Sequence, residues 1–420
     1  MHITILTIGT RGDIQPYIAL GMGLHQAGYD VRLVTHAPFE SMIRRYGLDF
    51  APIASNMQAH FQSQEGRAFL ASGSNPWRFL RGLQHQAKQQ VAQTIKDCWT
   101  ACQDSDVIIA SLFSCVIGYH IATRLKRPFI QAYTQPFHPT TAFPNPLFPI
   151  PYRKSRLLNL LTYWLGNLIV WSAIRPYTNS ALRQIDIRPS SLPHLEIIRS
   201  QLPVLYAYSP SVLPKAKSWG EWIDVVGYWV LEQEEWTPPP ALIDFLAAGP
   251  APVYVGFGSM VDGDPKGTTE MVLAALKKTG QRGLLLTGWG GLSQMDLPDD
   301  VFVMQKAPHD WLFPQMAAVV HHGGSGTTAA ALRAGVPNII IPFFFDQFLW
   351  GERVFELGVG PRPIPRQKLS VERLADAINQ TVNNPTMEAK VSTLSQRLRA
   401  EKGVERAVEI ITRYLKRAPT

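Results

Sequence analysis

In the first part of the chain, short apolar runs alternate with longer stretches of helical spacing. The first run, HITILTIG, ends in glycine, and the stretch QPYIALGMGLHQAG carries apolar residues at helical spacing up to Gly28. Further apolar runs follow in the order YDVRLVTH, DVIIAS and RPFIQAYT. Strands that alternate with helices in this way indicate a parallel sheet with crossover helices.

The same alternation of strands and helices restarts after a change in amino-acid composition. Residues 203–252 are rich in proline and contain one short strand candidate, WIDVVGYWV. Beyond them lie the strand candidates PVYVGFGS, GLLLTG, VFVMQKAP, AAVVHHGG and NIIIPFF. We therefore predict an α/β protein with two tandem doubly wound, Rossmann-like domains. The expected divisions are a first domain at 1–205, a proline-rich junction at 206–250, a second domain at 251–400 and a C-terminal helix at 401–420 that packs back toward the first domain.

One apolar segment interrupts this pattern. Residues 157–174 read LLNLLTYWLGNLIVWSAI and are flanked by Arg156 and Arg175. The length approaches that of a membrane span, but the segment also holds Asn159 and Asn167, and no second span accompanies it. We interpret it as a buried or interfacial helix. Ordinary core packing and a face that rests on a membrane stay open as alternatives.

Composition and charge limit the partners. The chain has 420 residues, which suits two domains, and its formal net charge of +8 suits an anionic ligand or an anionic membrane surface. No dense run of basic residues is present, so nucleic acid is not an expected partner. The three cysteines lack metal-ligand spacing and cannot all pair, and no signal-peptide pattern opens the sequence. We expect a cytoplasmic protein, with peripheral membrane association as an open alternative.

The stretch at residues 317–352 carries the most chemistry. A buried strand runs into two histidines, a glycine-rich turn and the start of a helix that ends at Gly335. The unpaired amides and the positive end of the dipole make such a helix start an anion site, so a diphosphate could be held there without a metal. A tight turn with core histidines is the alternative. The residues concerned are His321, His322, Gly323, Gly324, Ser325, Gly326, Thr327 and Thr328.

The next strand, NIIIPFFF, ends in Asp346 and Gln347. Ligands of open α/β sheets collect at the carboxyl ends of strands, and these two side chains offer acceptors and a donor to sugar hydroxyls. Alternatively, Asp346 caps the following helix and Gln347 is merely exposed.

Together these stretches resemble the GT-B-fold glycosyltransferases that use nucleotide sugars, in particular the sterol glucosyltransferases and the glycopeptide-antibiotic glycosyltransferases. The resemblance rests on GTRGDIQPYIALG, VVGYWV, YVGFGSM, LLLTGWGGL, APHDWLFP, HHGGSGTT and PFFFDQFLWGERV. It implies two domains that face each other across a cleft. It also implies inverting transfer of a hexose, with UDP-glucose favoured as the donor, to a hydroxyl of a lipophilic acceptor such as a sterol.

The resemblance also implies site residues. His321 and the turn after it would hold the diphosphate, Asp346 and Gln347 the sugar, and the KAPHDW stretch the base. Two departures, Lys306 for a stacking tryptophan and Ala329 for a glutamate, leave UDP and TDP donors unseparated. The implied donor-binding residues are Thr10, Gly12, Ser259, Trp289, Ala307, His309, His321, Gly323, Gly324, Ser325, Gly326, Thr327, Asp346 and Gln347.

Asp13 lies in the GTRGD turn after the first strand, where this group of enzymes carries an aspartate. A hydroxyl that attacks an anomeric carbon must lose its proton, and a carboxylate within hydrogen-bond reach can take it. We therefore expect Asp13 to be the general base. Its alternative role is to cap the helix that follows.

We expect no metal or other cofactor, since the triplets DSD and DGD are too short to define a metal site. A tailoring enzyme of secondary metabolism, a non-catalytic nucleotide-sugar or lipid-binding module and an epimerase-like enzyme stay open as alternatives.

Overall fold

A computed structural model describes residues 1–54, 76–148, 155–232, 236–258, 260, 264–287 and 297–417. The first domain contains β1 (His2–Leu6), α1 (Arg11–Gln26), β2 (Asp30–His36), α2 (Glu40–Arg45), β3 (Asp49–Ile53), α3 (Pro76–Ala101), β4 (Val107–Ala110), α4 (Cys115–Leu125), β5 (Phe129–Tyr133), α5 (Arg156–Gln184), α6 (Pro193–Arg199), β6 (Val204–Tyr206) and β7 (Ile223–Val225). Short 3₁₀ turns lie at Ala37–Phe39 and Leu112–Ser114.

The second domain follows the same alternation. It contains α7 (Pro240–Ala247), β8 (Val253–Gly256), α8 (Pro265–Thr279), β9 (Gly283–Leu286), β10 (Val301–Met304), α9 (His309–Leu312), β11 (Ala318–His321), α10 (Ser325–Ala334), β12 (Asn338–Ile340), α11 (Gln347–Leu357), α12 (Val371–Val382) and α13 (Pro385–Ala400). Short 3₁₀ turns lie at Phe313–Gln315 and Arg366–Lys368, and α14 (Gly403–Leu415) comes last.

Both sheets are parallel and doubly wound, which confirms the predicted fold class. Within the described residues, the first sheet has the order β3-β2-β1-β4-β5-β6-β7 and the second the order β10-β9-β8-β11-β12. The strand order reverses between β1 and β4 in the first sheet and between β8 and β11 in the second. Such switch points open a crevice at the carboxyl ends of the strands. The GTRGD turn leaves β1, and the HHGGSGTT turn leaves β11.

The predicted boundary at residue 205 is too early. Tyr206 closes β6, and β7 pairs with β6 in parallel inside the segment expected to be a junction. Both short strands are wholly or largely buried, because they continue the sheet rather than cross between the domains. The first domain therefore extends past residue 225.

The C-terminal helix α14 packs against α1 of the first domain. Val404 lies where a side chain on Gly23 would be, at 2.5 Å from the position of such a Cβ, and Ala407 and Ile411 are buried in the same core as α1. The preceding turn is fixed by Glu401, whose Oε1 accepts hydrogen bonds from Ser209 at 2.6 Å and Ser211 at 2.9 Å. The chain thus crosses back between the domains at residues 400–403.

Candidate active site

A cavity of about 1200 Å³ lies between the two domains. It exceeds the roughly 300–1,000 Å³ of a typical small-molecule site, so it has room for two ligands. Its wall includes eleven of the fifteen residues predicted to be catalytic or donor-binding, namely Thr10, Gly12, Asp13, Ala307, His309, Gly324, Ser325, Gly326, Thr327, Asp346 and Gln347. Ser259 and Trp289 lie outside the described residues, and His321 and Gly323 lie behind the wall.

Asp13 is held by the turn that precedes it. It sits in the first turn of α1, and its Oδ2 accepts hydrogen bonds from the backbone N–H of Thr10 at 2.8 Å and the Thr10 hydroxyl at 3.0 Å. Gly9 has φ +150°, and a Cβ there would lie 2.4 Å from Asp13 Oδ2. The glycine therefore leaves the space that the carboxylate occupies. Asp13 does stabilise the helix start, as the alternative held, but from the third helical position, and it also lines the cavity.

Burial raises the pKa of Asp13 above 3.8, and the hydrogen bonds from Thr10 partly oppose this rise. A carboxylate with a raised pKa accepts a proton more readily than an exposed one. Thr10, predicted as a donor ligand, contacts Asp13 and fixes the orientation of its carboxylate.

Asp346 and Gln347 also line the cavity, and both are buried. Asp346 accepts a hydrogen bond from the indole Nε1 of Trp350 at 2.7 Å. Burial raises the pKa of Asp346 to about 7, and the negative charge of Asp13 adds to the rise.

Gln347 orders the loop before α11. Its Oε1 accepts hydrogen bonds from the backbone N–H groups of Phe343 at 2.8 Å and Phe344 at 3.2 Å, while among the described residues its Nε2 meets only the Met260 sulfur, at 3.5 Å. Since sulfur is a weak acceptor, the amide can still donate to a ligand. The alternative of an exposed Gln347 is wrong, because only 4% of the residue is accessible to solvent.

The first turn of α10 has the geometry expected of an anion site. Thr328 N–H makes a helical hydrogen bond to Gly324 O at 3.0 Å, so the N–H groups of the preceding residues lack intrahelical partners. These are the amides of Ser325, Gly326 and Thr327, all on the cavity wall. The dipole of α10 adds positive potential at the same place.

His321 does not contact the cavity, which corrects the expectation that it binds the phosphates itself. It is fully buried, its Nε2 lies 2.8 Å from Asn338 Oδ1, and its Nδ1 accepts from Gly323 N–H at 3.1 Å. Burial lowers its pKa to about 4, so the ring is neutral near pH 7. His321 therefore shapes the turn, and Gly323, which it holds, packs against Ile340 and Gln347.

His322 belongs to the predicted turn but is not among the implied donor-binding residues, and it lines the cavity. Its Nδ1 is buried and has no hydrogen-bond partner among the described residues. Burial lowers its pKa to about 3. A Cβ on Gly324 would lie 2.5 Å from His322 Nε2, so glycine at 324 leaves room for the ring. Adjacent side chains of an extended segment point to opposite sides, so only one of the two histidines reaches the cavity.

The region expected to hold the base lies beside α9. Ala307 and His309 line the cavity, and the His309 ring stacks on Phe313 with centroids 4.3 Å apart. Burial lowers the pKa of His309 to about 4, and the charges of His321 and Arg11 act in the same direction. Lys306 lies on the same wall and is exposed.

The first-domain side of the cavity is largely apolar. Its wall includes Leu83, Ala87, Val91, Phe113, Val116, Phe137, Val170, Ile174 and Ile198. Phe345 of the second domain, at φ +61°, reaches this side, and its ring lies 5.1 Å from that of Phe137 and 6.0 Å from that of Phe113. Such surroundings suit a bulky lipophilic molecule.

Direct contacts fasten the two domains beside the cavity. Ser325 Oγ donates to Thr134 O at 3.2 Å, which ties the start of α10 to the end of β5. Arg353 donates from Nε and Nη2 to Val212 O at 3.0 and 2.7 Å. Among the described residues, no group of three or more His, Cys, Asp or Glu side chains could hold a metal ion.

Known proteins match this chain over most of its length. The family model of the glycosyltransferase family 28 N-terminal domain matches residues 3–144, and that of the erythromycin biosynthesis protein CIII-like C-terminal domain matches residues 290–413. A sterol 3-beta-glucosyltransferase of Arabidopsis thaliana is 39% identical over 437 residues, which cover 99% of this chain and 68% of that protein.

A sterol 3-beta-glucosyltransferase of Neosartorya fischeri is 38% identical over 435 residues, which cover 100% of this chain. The chain spans about 30% of the length of that fungal relative. The crystal structure of CalG4, the calicheamicin glycosyltransferase, matches with a TM-score of 0.70 at 20% identity and covers 100% of this chain and 99% of that one. This likeness confirms the predicted GT-B architecture.

Proposed function

The chain belongs to the family of sterol 3-beta-glucosyltransferases, and from this premise we propose that it transfers glucose from UDP-glucose to the hydroxyl of a lipophilic alcohol such as a sterol. The observation that carries the proposal is the placement of Asp13 on the wall of the same cavity as the free amides of α10. A proton acceptor and an anion site in one cavity between two domains are the two groups that such a transfer needs.

In the proposed reaction, Asp13 accepts the proton of the acceptor hydroxyl while its oxygen bonds to the anomeric carbon. The bond from that carbon to the diphosphate breaks, and the nucleoside diphosphate leaves with the electron pair. Attack from the side opposite the leaving group inverts the anomeric centre. The raised pKa of Asp13 favours this proton transfer.

The leaving diphosphate gains negative charge as the bond breaks. The amides of Ser325, Gly326 and Thr327 point from the first turn of α10, and the helix dipole adds to them. Donors that are fixed before the reaction commonly lower a barrier by about 3–4 kcal/mol per donor. The proposal uses no metal ion or organic cofactor.

Asp346 and Gln347 are the proposed readers of the sugar hydroxyls. A carboxyl with a pKa of about 7 can accept or donate a hydrogen bond near neutral pH, and the Gln347 amide donates. The apolar wall of the first domain would hold the acceptor. An aglycone of secondary metabolism fits the same wall, and the acceptor panel below separates the two classes.

The test is a transfer assay with UDP-glucose and TDP-glucose against a sterol and a polyphenol, with products identified by mass spectrometry and NMR. The proposal expects a β-glucoside of the sterol that forms faster with UDP-glucose. Donor turnover without an acceptor product would favour the epimerase-like alternative. Donor binding without any turnover would favour a non-catalytic module. Either result overturns the proposal.

We also propose a cytoplasmic location, supported by three cysteines that are free and buried. Fractionation of cells that express the chain tests this, since a fraction confined to an oxidising compartment would contradict it.

A further inference from the structure

The outward face of α5 is covered by large apolar side chains. Leu157 is 77% exposed, Trp164 63% and Leu161 52%. Together with four neighbours they form a contiguous surface, which we call the apolar band. It consists of Leu157, Leu158, Leu160, Leu161, Trp164, Leu165 and Leu168. These seven are more than half of the large apolar side chains that are exposed in the described residues.

The inward face of the same helix carries polar groups. Asn159 is buried and donates from Nδ2 to Thr141 O at 2.9 Å, and Thr162 is buried and accepts from Asn145 N–H at 2.8 Å. A surface helix of a water-exposed protein normally turns its apolar residues to the core and its polar residues to the solvent. This part of α5 buries Asn159 and Thr162 beside Tyr163 and leaves its leucines and Trp164 exposed. The band is therefore suited to apolar surroundings outside the protein.

The other side of α5 belongs to the acceptor half of the cavity. Gly166, Asn167, Val170, Ile174 and Thr178 line the cavity wall. An α-helix with its side chains is about 10 Å across. A molecule that touches the apolar band is thus separated from the cavity by one helix only.

Charge indicates what kind of apolar partner fits. The 29 residues of α5 include Arg156, Arg175 and Arg183 but no Asp or Glu. Arg156 and Arg175 stand before and after the band and are exposed. The formal net charge of +8 attracts the chain to an anionic surface, and the apolar band requires an apolar layer beneath that surface. The surface of a bilayer with anionic lipids has this chemistry.

Length decides between lying on a bilayer and crossing it. Within the described residues, one helix, Arg156–Gln184, is long and apolar enough to cross a membrane, but 33% of its apolar stretch is buried in the protein. The apolar band ends at Leu168, and Ser172 and Arg175 follow on the exposed side. At 1.5 Å per residue the band is about 17 Å long, against about 30 Å of hydrocarbon.

We propose that the apolar band docks on the surface of a bilayer that contains anionic lipids, and that a membrane-held alcohol passes from there into the cavity beside α5. The evidence for docking comes from α5 and the charge of the chain and does not depend on the proposed function. The passage of the acceptor rests on the proposed function. Two measurements separate the two parts.

The first measurement needs neither donor nor acceptor. The full chain is floated with vesicles of phosphatidylcholine, with and without phosphatidylglycerol. We expect binding that increases with phosphatidylglycerol and falls with salt. The double variant Leu161→Glu/Trp164→Glu should bind the vesicles at least about tenfold less, because two apolar side chains that enter the bilayer on docking are replaced by charged ones. The matched control is Ile243→Glu, which changes an exposed apolar residue on α7 and should bind like the parent.

The second measurement compares one acceptor in two settings. We expect the double variant to lose transfer to a sterol in vesicles by about tenfold and to keep transfer to the same sterol in detergent micelles. Neither residue lines the cavity, so the micelle rate reports intact catalysis. If no protein transfers glucose in either setting, the proposed function fails while the flotation result stands.

Several results would overturn the docking proposal. One is equal flotation of the parent and the double variant. Another is a loss of vesicle binding in Ile243→Glu that equals the loss in the double variant. A third is a concentration-dependent dimer that the double variant abolishes, with no vesicle binding by the parent, because the band would then join two copies. Circular dichroism of both variants establishes whether they are folded. If the double variant does not fold, Leu165→Glu replaces it in both measurements.

Discussion

Gly9→Ala tests whether the position of the Asp13 carboxylate sets the rate. A Cβ at residue 9 would lie 2.4 Å from Asp13 Oδ2, whereas ordinary contact begins at 3.4 Å. The carboxylate must therefore move by about 1 Å. A displacement of this size can lower a rate about 10²-fold. The hydrogen bonds from Thr10 would lengthen with it.

The same substitution also strains the backbone, because φ at residue 9 is +150°. Strain of this kind costs about 1–3 kcal/mol of stability. Gly28→Ala is the matched control: its φ is +88° but no atom lies within 4 Å of the added Cβ, and it lies beyond the far end of α1. Gly28→Ala should lose stability and keep its rate.

The assay is steady-state transfer with saturating donor, together with thermal unfolding of each variant. We expect kcat to fall about 10²-fold in Gly9→Ala with donor Kd little changed, and to stay within about twofold in Gly28→Ala. If Gly9→Ala kept its kcat while it lost stability as Gly28→Ala does, the carboxylate position would not control the reaction.

Three further predictions concern the donor side. Gln347→Glu keeps the acceptor for the N–H groups of Phe343 and Phe344 but loses the amide donor, so the protein should fold and its donor KM should rise about tenfold or more, measured by initial rates. Burial raises the pKa of Asp346 from 3.8 to about 7, so the stability it contributes is greatest below about pH 4 and is lost as the pH rises to about 7. Asp346→Asn should therefore lose less stability than the parent between about pH 5 and about pH 8 in thermal unfolding, and an equal loss would contradict the assigned pKa. Gly324→Ala should raise donor KM, because the added Cβ displaces the His322 ring, and should cost little stability, because a φ of −62° suits any residue. Unchanged donor binding in calorimetry would refute this prediction.

Strong hydrophobic runs made most of the sheet predictable. Strands buried on both faces, such as β1, read as near-continuous apolar segments. β3 has no such signal, because Asp49–Ile53 is an edge strand that contains Pro52, and an edge tolerates a residue without an N–H. β6 has three residues within a proline-rich stretch, too few to show a period. The shortness of β6 explains why the predicted boundary fell too early.

The glycine-rich turns after β1 and β11 were the parts of the site that the sequence predicted best. Asp13 after the first strand and the hydroxyl-rich start of α10 both reach the cavity. The histidine pair was not resolved, because β11 is buried on both faces and its sequence does not reveal which side chain faces the cavity. The inverted polarity of α5 was likewise hidden, since an apolar sequence does not show which side is covered.

The central claim is that Asp13 takes the proton of the acceptor while the amides of α10 hold the departing diphosphate. Asp13→Asn tests it most directly, because asparagine can still accept the hydrogen bonds from Thr10 but cannot act as a base at neutral pH. We predict that donor Kd, measured by calorimetry, stays within about twofold, while the single-turnover rate of transfer falls by about 10²–10⁴-fold. A transfer rate within about twofold of the parent would contradict the claim.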